Sequence, residues 1–224
     1  MSTISAPTTS ADYKLAIYRV VLSAGFILFL SGVLAIPSYY ETTTLWYKTG
    51  MDKIMLLAGH YLGLLGFILL YLQIILSARD HFLDRVFGSA QLLGLHRLNG
   101  LLLFLLAAGH ILLVLIPEGL ANLPLGKKFW PEMVGAALFI CILVLAGSSH
   151  FRQKIHLPYA IWRSFHRPLG YLALLLVTVH VLFVSESFEQ TIPRIFVLCL
   201  FCLTVFWTVR AKAAAARKIR ISSE

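Results

Sequence analysis

Six long apolar stretches dominate this chain, at roughly residues 14–36, 52–78, 93–116, 132–148, 164–184 and 193–210. Each is about the length that carries an α-helix across the ~30 Å hydrocarbon layer of a bilayer. Inside that layer no water pairs with backbone N–H and C=O groups, so a spanning segment must satisfy them internally, as a helix does. The residue balance agrees: 59% of the chain is hydrophobic and only 13% charged, against about 25% charged in an ordinary soluble domain. The fold expected is an all-α membrane protein with six transmembrane helices. Residues 1–13 read as a disordered tail, 14–210 as the six-helix domain, and 211–224 as a basic tail. The first apolar run reads as a retained anchor, with no cleavable signal peptide ahead of it.

The charge balance is basic, with net charge +9 and a pI near 9.7. In a soluble protein that would point to nucleic acid. Here its distribution points to the membrane instead. If the N-terminus is cytoplasmic, 14 of the 19 Lys and Arg residues fall on the cytoplasmic side. The other five are Lys48, Lys53, Lys127, Lys128 and Arg194. Lys and Arg accumulate on the cytoplasmic side of membrane helices, so both termini are expected there. A partner among nucleic acids is not expected; the lipid bilayer is. In a bacterium the location would be the cell (inner) membrane. Cys141, Cys199 and Cys202 all lie within apolar runs and imply no disulfide framework.

Two of the runs carry an internal echo. Residues 95–110 read LHRLNGLLLFLLAAGH and residues 165–180 read FHRPLGYLALLLVTVH. Each has His-Arg-x-x-Gly, an apolar stretch, and a second histidine fourteen residues after the first. Fourteen residues are four helical turns less about 40°, so both histidines of a helix share a face, about 21 Å apart along the axis. On the expected topology both helices run outward. His96 and His166 then lie at the inner level, His110 and His180 at the outer. An intramembrane histidine is costly and needs a reason. Four of them in a duplicated pattern are best explained as two pairs, each clamping one haem iron from opposite sides. The expected bundle thus surrounds two stacked b-type haems, with His96, His166, His110 and His180 as metal ligands.

Other residues attach to this frame. Gly100 and Gly170 lie four residues after the inner histidines, on the ligand face, where a missing side chain lets a porphyrin approach the backbone; Gly109 stands beside His110. Arg97 and Arg167 would pair haem propionates, although their boundary position is equally explained by the charge asymmetry. His60, on the second apolar run, lies near the outer level and is a candidate contact for a propionate or an acceptor. His81, His150 and His156 read as solvated link residues. Leu103 and Ala173 mark the midpoints of the ligand helices, so an aromatic from the sixth run is expected to fill the space between the haems. Phe201 is the first choice and Trp207 the second, with Phe206 nearby.

The segments GLHRLNGLLLFLLAAGH, WRSFHRPLGYLALLLVTVH and LSARDHFLDRVFGSAQLLGLHR resemble the ferric reductase-like transmembrane domain. That superfamily includes ferric reductases, NADPH oxidases and the haem-bearing membrane subunit of a bacterial methionine sulfoxide reductase system. The resemblance runs from about residue 52 to 208. It implies that His96, His110, His166 and His180 ligate two haem b groups carrying electrons outward. Relatives that reduce iron or oxygen continue into flavin- and nicotinamide-binding domains. Here no Gly-x-Gly-x-x-Gly follows a strand, so flavin and NAD(P)H enter only through a partner or a missing fused domain. The chain reads as a stand-alone cytochrome or as the membrane part of a longer one.

The function expected is that of an oxidoreductase membrane component, a di-haem cytochrome b. It would pass electrons from a cytoplasmic flavin reductase to an external acceptor: ferric chelate, oxygen or a periplasmic reductase. Iron with both axial positions filled suits electron passage better than oxygen binding. Lys127 and Lys128, in an outer link, could attract an anionic acceptor. The alternative is a quinol-oxidising cytochrome b subunit, which would need quinone pockets. A histidine proton-relay transporter or a scaffold subunit without redox function are further rivals.

Overall fold

The computed structural model describes residues 10–40, 43–119 and 123–221, and every regular element among them is helical. The α-helices are α1 (Ser10–Leu34), α2 (Ile36–Tyr39), α3 (Gly50–Ser77), α4 (His81–Phe87), α5 (Ser89–Glu118), α6 (Trp130–Phe151), α7 (Tyr159–Val184) and α8 (Thr191–Ile221). Six helical stretches are long and apolar enough to span a bilayer: Asp12–Tyr39, Gly50–Ser77, Ser89–Glu118, Lys127–Phe151, Tyr159–Val184 and Thr191–Arg217. They correspond one to one with the six apolar runs. The chain is a multi-pass integral membrane protein.

Local chemistry sets the breaks. Gly88 (φ +87°) and Gly119 (φ +80°) hold the left-handed turns at either end of α5, a conformation glycine adopts without the Cβ clash. The carboxylate of Asp80 accepts from the N–H groups of Phe82 and Leu83 and caps the short α4. At the other end α8 stays helical to Ile221, beyond the last apolar run. Its extension is built from Ala, Lys and Arg, all strong helix formers. Likewise α1 starts at Ser10, ahead of the first run.

The core gathers on α3. Phe67, Ile68, Leu70 and Tyr71 are almost wholly buried. The Thr178 hydroxyl donates to the Leu174 carbonyl, so Tyr71 O–H is the donor to Thr178 Oγ1, at 2.7 Å. By contrast α1 is peripheral, with Val20 and Leu28 among its many exposed apolar side chains. Exposure of this kind is stable only against lipid.

Four helices form the frame of the site. α3 packs along α5, and α6 along α7; smaller contacts join α5 to α6 and α3 to α7. The result is a ring, α3–α5–α6–α7, with α5 and α7 on its diagonal and scarcely touching. α1 lies outside against α3 and α4, and α8 outside against α3 and α7.

Candidate functional site

The four duplicated histidines sit on the diagonal helices of this ring. Those of the C-terminal halves face each other: His110 on α5 and His180 on α7 have ring centroids 6.4 Å apart at an interplanar angle of 81°. Two imidazoles bound to one metal from opposite sides, at about 2 Å per bond and roughly 1 Å from nitrogen to ring centre, stand about 6 Å apart. The observed spacing meets that requirement without rearrangement.

The orientation of each ring is fixed by a neighbouring helix. His110 Nδ1–H donates to the Gly59 carbonyl of α3 at 2.8 Å, and His180 Nδ1–H to the Pro131 carbonyl of α6 at 2.9 Å. A carbonyl only accepts, so each ring carries its proton on Nδ1 and keeps the Nε2 lone pair free. That is the usual condition of a metal-ligating histidine. Four residues after each carbonyl comes a glycine. A Cβ on Gly63 would stand 2.7 Å from His110 Nδ1, and one on Gly135 would stand 2.5 Å from His180 Cε1. No real side chain tolerates such distances. Both flanking helices therefore use one device, a carbonyl at position i and a glycine at i+4 that together make a notch for an imidazole.

The other pair is held differently. Gln73 of α3 donates from Nε2 to the His96 carbonyl at 2.9 Å, and the same nitrogen lies 3.3 Å from His96 Nε2. Asn99 holds Gln73 in turn, donating to its Oε1 at 2.7 Å and to the Leu69 carbonyl at 2.9 Å. His96 Nδ1 is buried without a hydrogen-bond partner. His166 Nδ1 lies 3.5 Å from the Ser149 hydroxyl, and its ring packs on Trp162 with centroids 4.4 Å apart. His96 and His166 are within electrostatic reach of each other. On each flanking helix the two partners are a backbone carbonyl and a side chain, Gly59 and Gln73 on α3 and Pro131 and Ser149 on α6. Backbone thus orients one pair of imidazoles and side chains the other.

The remaining expected residues fall into place unevenly. His60 follows the carbonyl that binds His110 and lies within electrostatic reach of both His110 and Glu186. Arg97 and Arg167 are exposed beside the His96 and His166 level, and Arg167 lines a shallow cleft with Tyr159 and Arg163. Gly100 and Gly170 do not form the notches: a Cβ there would meet Gln73 Nε2 at 3.1 Å and Ile74 Cδ1 at 3.7 Å. Gly100 thus eases the approach of Gln73 to α5, whereas the contact at Gly170 is an ordinary one. The aromatics of α8, a helix outside the ring, are placed variously. Phe201 packs half-buried against the core, Phe206 is 64% exposed, and Trp207 lines a cleft beside α4. An aromatic pair within the ring is Phe104 of α5, one residue past Leu103, stacked on Phe139 of α6 at 6.1 Å and 14°.

Gly63, Gly135, Gln73, Ser149 and Trp162 were not foreseen. For the two glycines a signal was present in the first halves of α3 and α6, as GHYLG at 59–63 and PEMVG at 131–135. Among the described residues no three or more His, Cys, Asp or Glu side chains stand together as a metal group; the site consists of pairs.

A family model for the ferric reductase-like transmembrane component matches residues 62–177, just over half the chain. The chain belongs to the ferric reductase-like transmembrane family. The matched span of this ferric reductase-like domain contains three of the four duplicated histidines, His96, His110 and His166, together with Gly63, Gln73 and Ser149. Neither the curated proteins nor the solved structures contain a match to this chain. Membership at this level makes the protein a membrane electron-transfer component.

Proposed function

We propose that this protein is a transmembrane di-haem cytochrome b, passing electrons from a cytoplasmic flavin/NAD(P)H reductase to an acceptor at the outer face. The observation that carries the reading is the His110–His180 pair, spaced at 6.4 Å with both Nδ1 protons engaged by carbonyls. His110 and His180 would hold one haem and His96 and His166 the other. When bound, the haems would supply one-electron redox centres.

The chain's own residues do the rest. The notches of α3 and α6 fix tautomer and ring plane of the outer histidines, and a carbonyl partner raises the basicity of a ligating imidazole. The ring of α3, α5, α6 and α7 sets the two histidine-bearing helices on its diagonal, where a haem would lie between them. His60 and Glu186 place polar groups beside the outer pair, at the end where an acceptor would arrive. Arg97, Arg163 and Arg167 place positive charge at the inner end, where an anionic donor or propionate would be attracted.

Haem content tests the reading first. Protein expressed with haem available should give about two b-type haems per chain by pyridine haemochrome, motivated by the two histidine pairs. A reproducible value of zero or one would overturn the two-site assignment. Vesicles carrying the protein then separate donors. Reduction by an NAD(P)H-driven flavin reductase from the cytoplasmic side supports the proposal, whereas reduction by quinol alone would favour the quinol-oxidising reading.

A further inference from the structure

A second region of the molecule has a chemistry of its own, away from the histidines. Where α3 passes into α4, the chain lies against the end of α8 and leaves a cleft of about 700 Å³. Arg79, Arg85 and Arg210 line it, with His81, Asp80 and Asp84. Its floor is Trp207, Ala211, Ala214 and Ala215, with Phe82 beside them. The charges do not cancel. Asp80 is occupied in capping α4, and among the described residues none of the three arginines forms an ion pair. Arg210 lies over the Trp207 ring at 5.9 Å. Trp207 Nε1–H is buried and has no hydrogen-bond acceptor.

Three arginines against two aspartates leave a net charge of +1 in the lining, and three guanidinium groups without an ion-pair partner beside a stranded N–H call for an anion with several acceptor oxygens. The position says which kind. Trp207 lies within the membrane-spanning stretch Thr191–Arg217, and α4 joins two spanning helices at its ends. The cleft is therefore basic at its rim, apolar at its floor and set at the level of the lipid headgroups. Basic pockets between transmembrane helices at this level suit phosphorylated headgroups, and a guanidinium fork matches a phosphate in two-point fashion.

We propose that this cleft is a binding site for the phosphate headgroup of an anionic phospholipid, its glycerol and upper acyl segments resting on Trp207 and the alanines. The proposal is independent of the haem assignment, because none of its residues belongs to the histidine ring.

Native mass spectrometry of the full chain tests it. The protein is reconstituted in vesicles of equal parts phosphatidylglycerol and phosphatidylcholine, released in mild detergent, and scored for retained lipid. The parent should retain phosphatidylglycerol in clear preference. Arg79→Gln, Arg85→Gln and Arg210→Gln should each weaken retention roughly fivefold, the equivalent of about 1 kcal/mol for one arginine near an anionic surface. Asp84→Asn should strengthen it, a change of sign that mere damage would not produce. Circular dichroism confirms that each variant scored is folded. Inorganic phosphate added at high millimolar concentration is the other arm. If it displaces the lipid fully from the parent, the cleft is a free-phosphate site and the lipid proposal falls. Equal retention of the two lipids, or arginine variants that retain lipid like the parent, would also overturn it. Binding of a soluble acidic protein in place of lipid would do the same.

Discussion

At the scale of single residues, the two notch glycines are the most sensitive positions in the molecule. Gly63→Ala places a methyl 2.7 Å from His110 Nδ1, and Gly135→Ala places one 2.5 Å from His180 Cε1. The ring must leave its carbonyl, and a disrupted ligand–partner bond typically costs about 10–100-fold in metal affinity. Each alanine variant is expected to lose the outer haem component in a redox titration while keeping the inner one. Gly170→Ala is the control, since its methyl would meet only Ile74 Cδ1 at an ordinary 3.7 Å. It should keep both components. Loss of both components in Gly63→Ala and Gly135→Ala alike would refute the notch assignment. The histidines themselves should divide in the same way. Alanine at His110 or His180 removes one component, and alanine at His96 or His166 removes the other. A shared loss for His96→Ala and His180→Ala would break the pairing.

Between elements, the Gln73–Asn99 network is the polar seam of the α3–α5 interface. Asn99 is nearly buried and makes two interhelical bonds, to Gln73 Oε1 and the Leu69 carbonyl. Interhelical hydrogen bonds in membranes average only about 0.6 kcal/mol, whereas a buried polar group left without a partner costs about 1–3 kcal/mol. The second effect dominates. Asn99→Leu should therefore destabilise the protein by about 1–3 kcal/mol, read as a lowered thermal midpoint in detergent. Pairing it with Gln73→Leu should recover part of the loss, because the orphaned amide is then gone. A double variant less stable than the Asn99 single variant would show that packing, not hydrogen bonding, sets the cost.

For the whole molecule, the prediction concerns sidedness. The charge distribution assigns both termini and the His96–His166 level to the cytoplasm. Cysteines introduced at Lys127 and Lys212 of a variant lacking Cys141, Cys199 and Cys202 should label from opposite sides of intact cells. An impermeant thiol reagent is expected to reach position 127 and not position 212. The reverse pattern would invert the molecule and with it the proposed direction of electron flow.

The six spanning helices and their near boundaries were determined by the sequence alone, as was the duplicated spacing of the four histidines. The reason is that membrane physics imposes long-period signals: about twenty apolar residues per crossing and a fixed rise and turn per residue. Fourteen residues between histidines on two helices is readable without coordinates. What held those histidines was not readable, because it depends on which helix is neighbour to which. Gly100 and Gly170 were read as room for a porphyrin because they share a helix with the histidines, whereas the glycines that seat the rings of His110 and His180, Gly63 and Gly135, belong to α3 and α6. Likewise Phe201 was chosen by its position along α8, and position along a helix says nothing of direction around the bundle; α8 packs outside the ring, against α3 and α7. The contrast between backbone partners at His110 and His180 and side-chain partners at His96 and His166 arose only when α5 and α7 were set diagonally. Sequence distance fixes position along a helix axis; only tertiary packing decides which faces meet, because lateral contacts join residues about 50 positions apart, as His110 with Gly59 and His180 with Pro131.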